Sequence, residues 1–257
     1  MTTANRGELV ADLCRIARAA GDAIMAYYGG EVVVRAKADA TPVTDADEAA
    51  ERLIVEALAR LTPELPVVAE ELAAAGRIPD VSGGRFWLVD PLDGTKEFIS
   101  RNGEFTVNIA LVEDARPVLG VVHVPALGLT YFSDGATAFA QSDGGAARAI
   151  HARRAPAGGL VAAVSRSHRT PETDAFLADV AVAEERTAGS SLKFGLVAAG
   201  EVDVYPRFGR TMEWDTAAGH AVVAAAGGSV RTLDGDELAY GKPGFENPSF
   251  IVRGRVA

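Results

Sequence analysis

The chain reads as an α+β first half, residues 1–154, followed by an α/β second half, residues 155–257, with an antiparallel sheet in the first and a mostly parallel sheet in the second. Three observations carry this reading. Two amphipathic helical segments precede a series of strand-like segments whose short connections suit an antiparallel meander. A Gly-, Ala- and Arg-rich junction around 143–159 interrupts the pattern. Beyond it strand and helix segments alternate, the signature of a layered sheet with helical crossovers.

Residues 8–28 place Leu9, Leu13, Ile16, Ala20 and Ile24 on one helical face, and Gly29-Gly30 supplies the stop. A second helix is expected over Asp45–Leu61, capped by Thr44, with Leu53, Ile54, Ala57 and Leu58 inward and Thr62-Pro63 ending it. Strands follow at Val67–Ala69, 86–89, 105–112, 118–124, 129–132 and 137–140. The second half offers strands at 160–164, 180–183, 202–205, Ser229–Thr232 and 250–252, with helices at 171–178, 190–199 and 216–226.

With 257 residues, 48% hydrophobic and 23% charged, the chain has an ordinary globular composition. Its net charge of −10 lacks the basic footprint that nucleic acid or an anionic membrane surface requires, so neither is expected as a partner. Cys14 stands alone on an apolar-periodic segment, which excludes a disulfide framework and a cysteine metal site. Asp12, Arg15, Arg18 and Asp22 break the first 25 residues, so no signal peptide is read there. No run approaches the ~20 apolar residues of a membrane span. The expectation is a cytoplasmic protein with a small-molecule partner.

The most informative stretch is Asp90-Pro91-Leu92-Asp93-Gly94-Thr95. An apolar strand ends at Asp90, and Pro91 has no N–H to extend the ladder. Two carboxylates flank that break, before a turn and a helix start. Such an arrangement suits a cation holding a phosphate. Three further acidic groups sit at element boundaries: Asp45 and Asp47, Glu70-Glu71, and Glu213 and Asp215. At helix N-termini, acids also complement the dipole for about 0.3–1 kcal/mol, so Asp45/Asp47 and Glu213/Asp215 have a local explanation. Glu70, Asp90 and Asp93 each follow a strand, and on neighbouring strands they would converge. Two unit charges ~4 Å apart repel by about 4 kcal/mol at an effective dielectric of ~20, so such a cluster calls for a cation. All-oxygen ligands favour Mg²⁺ or Mn²⁺ over zinc, and none of the four His falls in a zinc-type spacing. An aspartyl-phosphate phosphatase spaces its acids differently, Gly235…Gly241-Lys242 fails as a P-loop, and neither a nucleophile elbow nor HExxH is present.

Together these motifs resemble the inositol monophosphatase superfamily of lithium-sensitive, Mg²⁺-dependent phosphatases. The carriers, in order, are Val67-Val68-Ala69-Glu70-Glu71, Asp90-Pro91-Leu92-Asp93-Gly94-Thr95 and Glu213-Trp214-Asp215-Thr216-Ala217-Ala218, with Pro42-Val43-Thr44-Asp45-Ala46-Asp47 upstream. The resemblance runs from about residue 8 to the end. It implies a layered α-β-α-β-α sugar-phosphatase fold with the active site at the junction of the halves. It further implies that Glu70, Asp90, the Leu92 carbonyl, Asp93 and Asp215 ligate roughly two or three Mg²⁺ ions, for which Mn²⁺ can substitute. Asp47 and Thr95, with Glu70, would act on a metal-activated water that attacks phosphorus in line, without a phosphoenzyme.

Within the superfamily, Lys96-Glu97-Phe98, Ser165-Arg166-Ser167-His168, Gly189-Ser190-Ser191-Leu192-Lys193-Phe194 and Tyr205-Pro206-Arg207-Phe208 resemble the 3′(2′),5′-bisphosphate nucleotidase branch. That implies 3′-phosphoadenosine 5′-phosphate as substrate, cleaved to AMP and phosphate. Gly94, Thr95 and Asp215 would meet the substrate at the metal end; Ser190, Lys193 and Arg207 would hold the 5′-phosphate or ribose, and His168 would line the nucleotide pocket. Lysine is scarce, with four in the chain, yet Lys96 and Lys193 fall inside this site. Two readings compete: an inositol or other sugar-phosphate phosphatase with the same metal site, and a non-catalytic nucleotide-binding regulator, against which the complete ligand set counts. A monomer and a homodimer fit the sequence equally.

Overall fold

The computed structural model describes residues 3–30, 34–37 and 41–255. In chain order, helix α1 (Thr3–Tyr28) leads through a small antiparallel hairpin, β1 (Val34–Ala36) and β2 (Pro42–Thr44), into α2 (Asp45–Leu61). A seven-stranded sheet follows: β3 (Val67–Ala69), a short α3 (Glu70–Ala74), β4 (Arg85–Asp93), a short α4 (Thr95–Ile99), β5 (Thr106–Glu113), β6 (Arg116–Val124), β7 (Leu129–Ser133), β8 (Ala138–Ser142) and β9 (Arg148–Ile150). The remaining chain forms β10 (Leu160–Ser165), α5 (Pro171–Asp179), β11 (Val182–Ala188), α6 (Leu192–Ala198), β12 (Val204–Arg207), α7 (Glu213–Ala225), β13 (Ser229–Thr232) and β14 (Phe250–Arg253). No helix among the described residues is long and apolar enough to cross a membrane.

Five layers result, and the alternation of side chains along the strands explains them. On β4, Trp87 and Val89 point to α1 and α2, where they pack with Leu13, Ile24, Ile54 and Leu58. Phe86 and Leu88 point the other way, into a core shared with α6, α7 and the five-stranded sheet. The far face of that second sheet, Ala162, Val164 and Val204, is covered by Leu177 of α5. Helix α7 therefore lies between two sheets, and ten of its residues are buried. Gly120 on β6 lets it approach so closely that a Cβ there would strike the Ala218 carbonyl.

The meander appears as expected from β4 to β9, entirely antiparallel, but β3 joins its edge in parallel with β4. The second sheet, ordered β11-β10-β12-β14-β13, is mixed where the sequence led us to expect mostly parallel pairing. Strands β11, β10 and β12 run parallel, whereas β14 returns antiparallel between β12 and β13. The reason is connectivity: α5, α6 and α7 each carry the chain between strands of like direction, whereas β14 returns from β13 through a loop and inserts antiparallel between β12 and β13. Strand β11 is longer than the four residues anticipated. Its Glu184, Glu185 and Arg186 are exposed on the sheet edge, where charge discourages further pairing.

Pro91 does not end β4. The ladder pairs Asp90 with Asn108 and resumes at Asp93 with Thr106, so Pro91 and Leu92 together face Val107 in a bulge. A bulge is where a sheet tolerates a residue without an N–H, and it swings the following side chains to a new direction.

Candidate active site

The bulge makes the acidic end of a cleft. Within it the Leu92 N–H donates to Asp90 Oδ1 at 3.1 Å, while the Leu92 side chain anchors in the core. Gly94, with φ of 92°, then turns the chain into α4; a Cβ at this position would collide with Ser190 Oγ. Glu70 stands at the first position of α3 directly after β3, and Ala69 pairs with Val89, so Glu70 arrives beside Asp90. Asp215 comes from the first turn of α7, its Oδ2 accepting the Met212 N–H at 2.9 Å. That helix begins three residues earlier than the periodicity indicated, because Glu213 and Asp215 supply its opening turn.

Asp47 lies one layer behind. Its Oδ2 accepts the Thr44 N–H (2.8 Å) and hydroxyl (2.6 Å), closing a capping box, and its Oδ1 accepts the Thr95 hydroxyl at 3.2 Å. Helix capping and contact with the site are thus the same carboxylate's two oxygens. Asp45, by contrast, is exposed and paired with Arg35 at 3.0 Å.

Asp93 is the best-supported acid. Ser191 donates to its Oδ2 from both backbone N–H and hydroxyl (2.7 Å each), with Thr106 and Asn108 further off at 3.3 and 3.4 Å. The Ser191 hydroxyl proton is shared with the Asp215 carbonyl at 2.6 Å, so one residue joins acids from the two halves.

The electrostatics of this end favour a cation. Burial, followed by the charges of Glu70, Asp93 and Asp215, pushes the Asp90 carboxyl well above the usual range. Asp215 is raised likewise by burial and then by Asp93 and Glu70. Lys37 answers part of this charge, with its ammonium 2.5 Å from Glu70 and 2.7 Å from Glu71. Burial acts to lower the Lys37 pKa, but the two carboxylates outweigh it and hold the group above its ordinary range. Among the described residues no three His, Cys, Asp or Glu side chains already close into a metal cage. Lys37 engages Glu70 and the Ser191 network engages Asp93. The donor set still fits a hard divalent ion, since Glu70, Asp90, Asp93, Asp215 and the Leu92 carbonyl offer only oxygen.

Basic groups line the other end of the cleft, whose volume is ≈ 410 Å³. Arg207 on β12 is 8% exposed; Nη2 donates to the Arg210 carbonyl at 3.1 Å, and Nε is buried without a hydrogen bond. Burial and then Arg207 push the neighbouring His168 down to about 4, so its ring is neutral at pH 7. Lys193 is buried, donating to the carbonyls of Ser190 (2.6 Å) and Ala188 (3.1 Å) with Nζ 5.1 Å from the Tyr205 ring centre. Ser190 adopts a left-handed φ of 47°, and its hydroxyl donates to the Asp93 carbonyl at 2.7 Å.

Every residue given a metal, catalytic or substrate role from the motifs therefore lines this cleft except Asp47, which reaches it through Thr95, whereas Asp45, Glu71 and Glu213 of the acidic pairs do not line it. Trp214 forms part of the wall, whereas Trp87 is core, with its indole N–H on Thr62 Oγ1. His123 and His220 are structural, bonded to Thr130 and Tyr240. Lys37, Ser191 and Asn108 were not anticipated. The one signal for Lys37 is lysine scarcity: Lys37, Lys96 and Lys193 line the cleft, and Lys242 holds the buried Glu213 at 2.7 Å beneath α7.

The model of the inositol monophosphatase family matches residues 6–253. The 3′(2′),5′-bisphosphate nucleotidase CysQ of Salmonella typhimurium is 46% identical over 247 residues, covering 95% of this chain and 99% of that protein. The crystal structure of CysQ from Bacteroides thetaiotaomicron superposes with a TM-score of 0.81 at 39% identity, covering 97% of this chain and 98% of the other. An inositol monophosphatase from Thermotoga maritima gives 0.74 at 29% identity over 93% and 89%.

Proposed function

The chain belongs to the inositol monophosphatase family, a family of metal-dependent phosphatases, and on that premise we propose that it removes the 3′-phosphate of 3′-phosphoadenosine 5′-phosphate, leaving AMP and phosphate. The observation that carries the proposal is one cleft lined both by the converging acids and by Arg207, Lys193 and His168. A substrate with two phosphates needs two anion sites, and the bisphosphate nucleotidase names of its relatives agree.

In this reading Glu70, Asp90, the Leu92 carbonyl, Asp93 and Asp215 hold Mg²⁺, which when bound neutralises phosphate charge and lowers the pKa of a water from ~15.7 toward 7. The chain's own groups do the positioning. Thr95, its hydroxyl proton committed to Asp47 Oδ1, keeps its lone pairs for a water at the acidic end. Asp47 Oδ1 is then the acceptor towards which that water's proton can move through Thr95. Water oxygen bonds to phosphorus as the bond to the ribose 3′-oxygen breaks; that oxygen takes a proton from solvent, and Asp47 returns the proton it received to solvent. At the basic end, the unpartnered Arg207 Nε and the buried Lys193 ammonium supply charge for the 5′-phosphate, while the neutral His168 ring offers a surface to the nucleotide.

The test is phosphate release with Mg²⁺ from 3′-phosphoadenosine 5′-phosphate and inositol 1-phosphate side by side, each with and without lithium. A strong preference for the nucleotide is expected. Preference for inositol 1-phosphate would keep the role of the acidic end and overturn that of Arg207, Lys193 and His168.

A further inference from the structure

Two loops of the C-terminal half reach the basic end: residues 165–168, which carry His168, and residues 188–191, which carry Ser190. Both are held by acids of the N-terminal half, Glu97 at the cleft wall and Glu104 outside it. Glu104, in the segment before β5, accepts the Gly189 N–H at 2.8 Å and clasps the Arg166 guanidinium with both oxygens, Oε2 to Nε at 2.8 Å and Oε1 to Nη2 at 2.9 Å. Glu97 on α4 accepts the Ser167 hydroxyl at 2.6 Å. The fit is close: a Cβ on Gly189 would lie 2.6 Å from Glu97 Cγ and 2.7 Å from the Glu104 carbonyl, so glycine is required for the approach. The segment that bears these acids begins at Thr95, which belongs to the acidic end. Glu104 itself does not line the cleft.

We propose that Glu104 is a positioning residue that sets the two loops of the basic end against the acidic end, and so selects a substrate carrying phosphates at both ends over a monoester that engages the acidic end alone. The inference rests on the nucleotide reading above. One carboxylate receives a backbone N–H from one loop and a two-pronged guanidinium from the other, which is the geometry-specific kind of hydrogen bonding. The Arg166 side chain is 43% exposed, so the pair contributes little to folding and its value lies in placement. A bisphosphate spans the cleft and feels any change in the separation of the ends; a small monoester does not.

Glu104→Ala should lower kcat/KM for 3′-phosphoadenosine 5′-phosphate by about 10–100-fold, mostly through KM, the order expected for a displacement of about 1 Å. Hydrolysis of glycerol 2-phosphate should change by less than about threefold, since Ser190 and Ser191 keep their own bonds to Asp93 when the Gly189 N–H loses Glu104. Glu104→Gln retains an acceptor for Gly189 and should recover part of the loss, and Arg166→Ala, which frees only the loop carrying His168, should give a partial loss even if Glu104→Ala fails to fold. Equal losses on both substrates, or no loss on either, would overturn the proposal. A wild-type enzyme with no preference for the nucleotide would instead sink the reading beneath it, and the inference with it.

Discussion

The two ends of the cleft are built differently. Glu70, Asp90, Asp93 and Asp215 all leave from the ends of regular elements: a strand into a helix, either side of a bulge, and the first turn of the helix between two sheets. Their directions follow from backbone geometry, and the surrounding layers make them stiff. At the basic end Lys193 on α6 and Arg207 on β12 also leave from regular elements, but they sit among loops held by distant contacts: Lys193 donates to the carbonyls of Ala188 and Ser190, and Arg166 is clasped by Glu104. A reaction common to many phosphate esters can rest on the stiff end, while substrate choice can drift in the loops without disturbing it.

That contrast predicts effects of descending size. Asp90→Asn and Asp93→Asn should lower turnover of every phosphate ester alike, on the order of 10³-fold, because several kcal/mol of charge stabilisation is lost. Both variants should fold, with one member of a repelling cluster neutralised. Near-normal kcat in either would break the assignment of the acidic end.

Ser191→Ala attacks the seam, since one hydroxyl serves both Asp93 and Asp215. Calorimetry should register Mg²⁺ binding weakened about 10–100-fold, the usual cost of losing an outer-shell partner. Unchanged affinity would mean that the backbone N–H of Ser191 suffices alone.

The smallest effect is a pH dependence confined to the basic end. Burial pushes the Lys193 ammonium down to about 8. As pH rises through about 8 its charge disappears in the folded enzyme, and KM for the bisphosphate should climb severalfold while glycerol 2-phosphate shows no matching step. Between about 8 and 10.5 the unfolded chain holds the proton that the folded one has released, so this group's contribution to stability rises with pH across that window. Lys193→Met should remove both the kinetic step and that increment. A step that persists in this variant would assign it elsewhere.

The same division marks how far the chain could be read unaided. Helices α1 and α2 and the strands of the meander repeat their periodicity long enough to be recognised, whereas β1, β2 and β9 are three residues each and leave no period. Pro91 misled for a definite reason: the rule against proline in a ladder has an exception at bulges. The acids were visible because each adjoins a strand or helix boundary within its own motif. Their partners were not. Ser191 lies 98 residues from Asp93, Gly189 lies 85 from Glu104, and Lys37 lies 33 from Glu70.

What the sequence alone determined is therefore the longer helices, most of the strands of both sheets and the acids at their boundaries, because periodicity and strand-end motifs are local properties of the chain. The tertiary structure decided the mixed pairing of the second sheet, the shared use of Asp47 as helix cap and partner of Thr95, and the identity of each buried charge's counterpart. A buried acid demands a donor or a cation, but any residue brought near by packing can satisfy it, and only the folded layers select which one does.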